Sequence, residues 1–238
     1  MASDTSTNRT DALVSLIKGI VGLAPFVGPL AEEVVGIIIP NQRLDRLAKL
    51  VQLLEGKVEG LDRDLLKVRF LIPGFVDLFE EGLYRAARAI SEDRLDQIAA
   101  LLKNGLSDEG ANFAQYKYIL SLLSELNDVE LLILQAYNVG WVGDFVEENL
   151  AVLRPPLASF GSPRDIIENA TIHDSYEPHL VRLNLLKPHF NHNSSGLPVF
   201  DSATGMMKSQ GYTITALGRL LLKYVDRASA DSANQPAL

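Results

Sequence analysis

Between Pro40 and Pro73 the chain sets Leu44, Leu47, Val51, Leu54, Val58, Leu61, Leu65 and Val68 at alternating steps of three and four. A helix of 3.6 residues per turn gathers such positions into one stripe, whereas a strand would scatter them over both faces. The spacing therefore predicts one long heptad helix over 42–69. Leu50, Leu53 and Leu66 widen the stripe beyond a strict seam, and Gly56 and Gly60 each weaken the helix by ~1 kcal/mol relative to Ala. Two uses of the stripe stay open. It can pack into the chain's own bundle, or it can form a parallel or antiparallel seam through Leu44, Leu47, Val51, Leu54, Val58, Leu61 and Leu65. The second use makes a homo-oligomer expected.

Downstream, the punctuation is that of further helices. Pro73 opens one that carries Phe75, Leu78, Phe79, Leu83, Ala86 and Ile90 on a face; the next starts near Glu92 and is expected to stop at Asn104-Gly105. Ser107 reads as the cap of another helix. Asn127 with Glu130 three residues later reads as a capping box. From Gly140 to Pro163 the periodicity fails, so a connection is placed at 141–162, with Ser162 as a helix cap before Pro163. The expected layout is a flexible 1–11, a helical bundle over 12–140, the connection, a C-terminal part over 163–226, and a disordered tail at 227–238. The fold class is mainly α.

The segment from Leu13 to Ile39 is apolar over a length near that of a membrane span. Its side chains, Ile20, Phe26, Val27, Leu30, Val35 and Ile38 among them, contribute roughly −0.3 to −0.6 kcal/mol each to insertion, but Glu32 and Glu33 cost roughly +2.5 to +3.5 each. These terms about cancel. Pro25, Pro29 and four glycines then favour two short helices, which either pack or lie on a membrane surface. Without the pattern of a secretion leader, a cytoplasmic location is expected, peripheral to the inner membrane if this segment engages it.

The chemistry on offer is sparse. With 238 residues and no cysteine, the chain has no disulfide, thiolate or Cys-ligated zinc. All four histidines fall at 173, 179, 189 and 192, without the neighbours that complete a metal ligand set. No glycine-rich phosphate loop, dinucleotide fingerprint or nucleophile elbow is present. Adjacent acid pairs such as Glu80-Glu81 point about 100° apart on a helix and read as solvated faces. No enzyme activity and no cofactor are expected.

Tyr176-Glu177-Pro178-His179-Leu180, the pair Leu185-Leu186, a polar stretch, then the run from Gly211-Tyr212-Thr213-Ile214-Thr215 to Tyr224 with its closing helix resemble the winged-helix end of many small bacterial proteins, which implies a small α+β part with one β-hairpin. In such a part Arg182, Lys187, Lys208 and Arg219 would meet nucleic acid, while Tyr176, Leu180 and Leu183 would be buried and Glu177 and His179 left to solvent. Residues 171–238 carry six basic and five acidic side chains, a faint footprint for phosphate binding.

A second resemblance runs through Phe70-Leu71-Ile72-Pro73, the run Leu95-Asp96-Gln97-Ile98-Ala99-Ala100-Leu101-Leu102-Lys103-Asn104-Gly105, and Tyr118-Ile119-Leu120-Ser121-Leu122-Leu123-Ser124-Glu125. These are similar to the Abi-alpha abortive-infection proteins of bacteria. The close Ile214-Thr215-Ala216-Leu217-Gly218 departs from that family's aromatic-bearing one. The resemblance implies a role in phage defence and carries over no catalytic residue. The functional expectation is thus a non-enzymatic defence or stress effector, acting by association with itself, with a protein partner or with a membrane through 13–39. The alternative is a DNA-binding regulator dimerised through 42–69.

Overall fold

The computed structural model describes residues 41–202, 205, 207 and 209–228. Ile20, Phe26, Val27, Leu30, Val35 and Ile38, expected to serve membrane contact or association, lie outside the described residues, as do Lys208 and the side chain of Leu44. The chain is mainly helical with one small antiparallel hairpin, and it divides into two compact units. The first runs to Glu125 and takes in Tyr224–Asp226; the second holds Leu126–Lys223 and continues from Arg227.

In the first unit α1 (Asn41–Val58), α2 (Arg63–Phe70), α3 (Pro73–Ala86), α4 (Glu92–Ser107) and α5 (Phe113–Glu125) pack around one core. The single helix expected over 42–69 is two. Gly60 lacks the propensity to carry the helix on, and Asp62 starts a new one by accepting from the Asp64 amide at 2.8 Å. Leu47, Val51, Leu54 and Val58 are buried, with α1 packed on α4 and α3, while Leu61 and Leu65 are half-buried. Leu47, Val51, Leu54 and Val58 thus serve as core of their own unit.

Helix α4 is capped by Ser91, which accepts from the Arg94 amide at 3.1 Å. It does not stop at Asn104-Gly105 but runs on to Ser107, whose hydroxyl donates back to the Lys103 carbonyl at 2.9 Å instead of capping a new helix. Gly105 serves packing. A Cβ there would lie 3.1 Å from Leu78 Cδ2, and one on Gly82 would lie 3.1 Å from both methyl carbons of Leu102. The two glycines let α3 and α4 approach closely, beside a cluster in which the Phe70 ring meets Phe75 edge-on at 5.0 Å and Phe79 at 5.7 Å.

The second unit holds α6 (Asp128–Asn138), α7 (Asp144–Glu148), α8 (Leu150–Leu153), α9 (Arg164–His173), α10 (Tyr176–Arg182), β1 (Leu186–Phe190), β2 (Ser209–Ile214) and α11 from Ala216 to its last residue, Tyr224, which clusters with the first unit. The sequence puts α6 in the bundle before the connection, but its contacts are with α8, α10 and β2. Its capping box forms as the sequence predicts, Asn127 Oδ1 accepting from Glu130 N at 2.9 Å and Glu130 Oε2 from Asn127 N at 2.8 Å. Ser162 does not cap α9. Its hydroxyl oxygen accepts from the Ser159 amide at 2.8 Å, and the helix begins after Pro163.

Strand β1 pairs with β2 from Leu186↔Ile214 to Phe190↔Ser209, with a bulge at His189/Phe190. In a two-stranded sheet both strands are edges, which is why Pro188 is tolerated. The hairpin is closed against α11 by Thr215, whose hydroxyl donates to the Asn184 carbonyl at 2.8 Å and accepts from the Gly218 amide at 3.0 Å. Gly218 is obligatory by contact, since a Cβ would sit 2.6 Å from the Leu185 carbonyl oxygen.

Candidate functional site: an aromatic pocket and an apolar loop

Helix α6 places Glu130, Ile133 and Tyr137 at steps of three and four, so they share one face. That face meets α10, and two polar pairs join the helices. Glu130, only 3% exposed, holds His179 Nδ1 at 2.5 Å from Oε1, and the Tyr137 hydroxyl donates to Glu177. Glu177 and His179 are thus turned inward onto α6, where the sequence leaves them to solvent. Leu180 is buried as expected; Tyr176 and Leu183 are only half-buried. Burial, with Glu177 accepting its proton, pushes the Tyr137 hydroxyl far above the usual tyrosine range, so it stays a neutral donor.

After α6 the chain reverses through two consecutive left-handed residues, Gly140 (φ 71°) and Trp141 (φ 61°), with the Trp141 amide donating to the Ala136 carbonyl at 2.8 Å. Gly140 takes this conformation freely, but a bulky residue there costs about 1–2 kcal/mol. The reversal brings the indole against Tyr137, ring centroids 5.3 Å apart and planes at 88°. From β2, Tyr212 stands against the same ring at 6.2 Å and 83°. Arg154, just past α8, lays its guanidinium 4.9 Å from the Trp141 ring centroid.

Tyr137, Trp141, Arg154, Glu177 and Tyr212, with Leu153, His173, Asp174 and Pro178, line a pocket of about 650 Å³. His173 meets Tyr176 edge-on at 5.5 Å, and its Nε2 is enclosed without a hydrogen-bond partner. The lining carries one fixed cation, two carboxylates and three aromatic rings. Among the described residues of the lining, the Tyr137 hydroxyl has a carboxylate partner, Glu177.

The second feature is the loop from Arg154 to Arg164. Ser159 and Ser162 pin a tight turn, the Ser162 amide donating to the Ser159 carbonyl at 3.0 Å, with Gly161 at φ 87° in the position that requires a glycine. Phe160 rides on that turn fully exposed, at 109%, and Leu157 is 90% exposed. Between the two arginines the loop contains no charged side chain.

Of the residues singled out for nucleic acid, Arg182, Lys187 and Arg219 are exposed. The histidines go separate ways, His179 to Glu130 and His189 to the Thr213 hydroxyl at 2.9 Å, and among the described residues no three His, Asp or Glu gather as metal ligands. Nor is any helix among the described residues long and apolar enough to cross a membrane. Sequence reasoning does not find the pocket and loop residues. The available signals are Gly140-Trp141 at a helix end and two large apolar residues inside a Pro- and Ser-rich connection. No family model, curated protein or solved structure matches the chain.

Proposed function

We propose that this protein is a non-enzymatic defence or stress effector that acts by association at a membrane surface, through the 155–162 loop and the apolar segment 13–39. The observation that carries this reading is Phe160, held fully exposed on a pinned turn with Leu157 beside it and arginines at both ends of the loop. The turn braced by Ser159 and Ser162 holds Phe160 outward, which lowers the ordering cost of burying it. Burying a Leu and a Phe yields about 1.5–3 kcal/mol each, enough for reversible attachment but not for stable anchoring, which takes a second signal. Residues 13–39 supply a second apolar stretch in the sequence. The defence role rests on the resemblance to Abi-alpha proteins.

The test is co-sedimentation of the full chain with phospholipid vesicles, beside a Leu157→Asp, Phe160→Asp variant and a Val35→Asp, Ile38→Asp variant. Binding lost in either variant, with circular dichroism unchanged, supports the reading; wild-type protein left in the supernatant at every lipid concentration removes it.

A second reading, a winged-helix-like DNA binder, draws on the exposed Arg182, Lys187 and Arg219 around the hairpin. It requires duplex binding at low salt that weakens when all three become Glu. The chain's net charge of −8 works against it.

A further inference from the structure

The loop reading makes no use of the pocket, yet the pocket's lining is chemically selective. Tyr137 packs edge-to-face with both Trp141 and Tyr212, and the three rings share the pocket's lining with the Arg154 guanidinium set over the Trp141 ring. Aromatic rings attract ammonium groups, quaternary ones included, through their negative faces. Two carboxylates, Asp174 and Glu177, add to that attraction, while Arg154 opposes it. An anion alone would face the two carboxylates, and a cation alone would face the guanidinium. A molecule that carries both charges is matched by the whole lining. The enclosed, unpartnered Nε2 of His173 is one further polar group that a ligand can satisfy by a small ring rotation.

We infer that the pocket binds a small zwitterion in which an ammonium group is joined to a phosphate. This chemistry is shared by soluble phosphocholine or phosphoethanolamine and by the headgroups of zwitterionic phospholipids. The ammonium lies among Tyr137, Trp141 and Tyr212 with Glu177 as counter-charge, and the phosphate meets Arg154. The ammonium end follows from the aromatic rings together with the two carboxylates. Phosphate as the anionic end rests on the membrane reading, since Arg154 also begins the exposed loop.

Trp141 is the chain's single tryptophan, so its fluorescence reports the pocket directly. The full chain is titrated with phosphocholine, phosphoethanolamine, choline and inorganic phosphate. At least one zwitterion is expected to change Trp141 emission saturably, choline and phosphate to bind about tenfold more weakly, and Glu177→Gln and Tyr212→Ala to weaken the zwitterion about tenfold with circular dichroism unchanged. No saturable change with either zwitterion at millimolar concentration overturns the inference. Choline or phosphate binding as tightly as the zwitterion overturns it as well. Vesicles separate it from the membrane reading. If soluble zwitterions bind while phosphatidylcholine and phosphatidylethanolamine vesicles do not, the pocket stands with a soluble ligand and the membrane reading falls. If vesicles bind and no headgroup moves the emission, the pocket falls and the membrane reading stands.

Discussion

Glu130 holds two elements with one carboxylate: Oε2 accepts from the Asn127 amide at 2.8 Å, closing the first turn of α6, and Oε1 meets His179 Nδ1 on α10 at 2.5 Å. The group is 3% exposed, so neither bond is replaced cheaply by water. Glu130→Ala should therefore cost the second unit about 2–4 kcal/mol, the sum of a lost cap and a stranded imidazole. Glu130→Gln keeps an acceptor and should cost about half that. Urea unfolding followed by Trp141 fluorescence reads the difference, because the indole sits in the same unit.

The tyrosines give the protein an alkaline limit. In the folded chain burial, Glu177 and Tyr212 raise the Tyr137 hydroxyl above its ordinary value of 10.0; burial, Tyr224 and Asp108 do the same to Tyr116. A raised folded value means that stability is intact below pH 10 and falls as pH rises beyond it, where the unfolded chain releases protons that the native one retains. Melting temperature measured across that range should drop for the wild type, and less steeply for Tyr137→Phe. At neutral pH the same substitution should destabilise by about 1–3 kcal/mol, since Glu177 loses its donor.

Glycine substitutions should separate by sign. Gly218→Ala drives a methyl to 2.6 Å from the Leu185 carbonyl and 2.8 Å from Ile214, and should destabilise by about 1–3 kcal/mol or more. Gly56 lies inside α1, and a Cβ added there would meet nothing within 4 Å, so Gly56→Ala should stabilise by about 0.8–1 kcal/mol. Thermal denaturation of the two variants against wild type checks both.

Leu54 distinguishes core from seam. It is wholly buried within its own unit, so Leu54→Ala should cost about 2–5 kcal/mol, with a melting temperature independent of protein concentration. A variant that kept its stability but changed mass in light scattering would place the stripe between copies of the chain instead.

What is legible in the sequence is periodic or capped. The α1 stripe, the Pro73 start and the Asn127–Glu130 box announce themselves by local spacing, and the closing hairpin and helix by their resemblance to a winged-helix end. What is not legible depends on partners distant in the chain. Gly105 reads as a stop until Leu78 is seen to need its empty Cβ position. Glu177 and His179 read as solvent-facing because their partners, Tyr137 and Glu130, lie 40 and 49 residues away. The pocket is assembled from α6, the turn after it, α8, the α9–α10 junction and β2, and no single stretch carries its pattern.

Attachment through the loop is tested most directly by moving the fluorophore to its tip. A chain carrying Trp141→Phe and Phe160→Trp has one indole, on the pinned turn, and is mixed with vesicles whose acyl chains are brominated. Membrane contact through this loop predicts a blue-shifted emission that the bromolipid quenches. An emission unshifted and unquenched, while the protein sediments with the vesicles, would contradict it and assign attachment to another part of the chain.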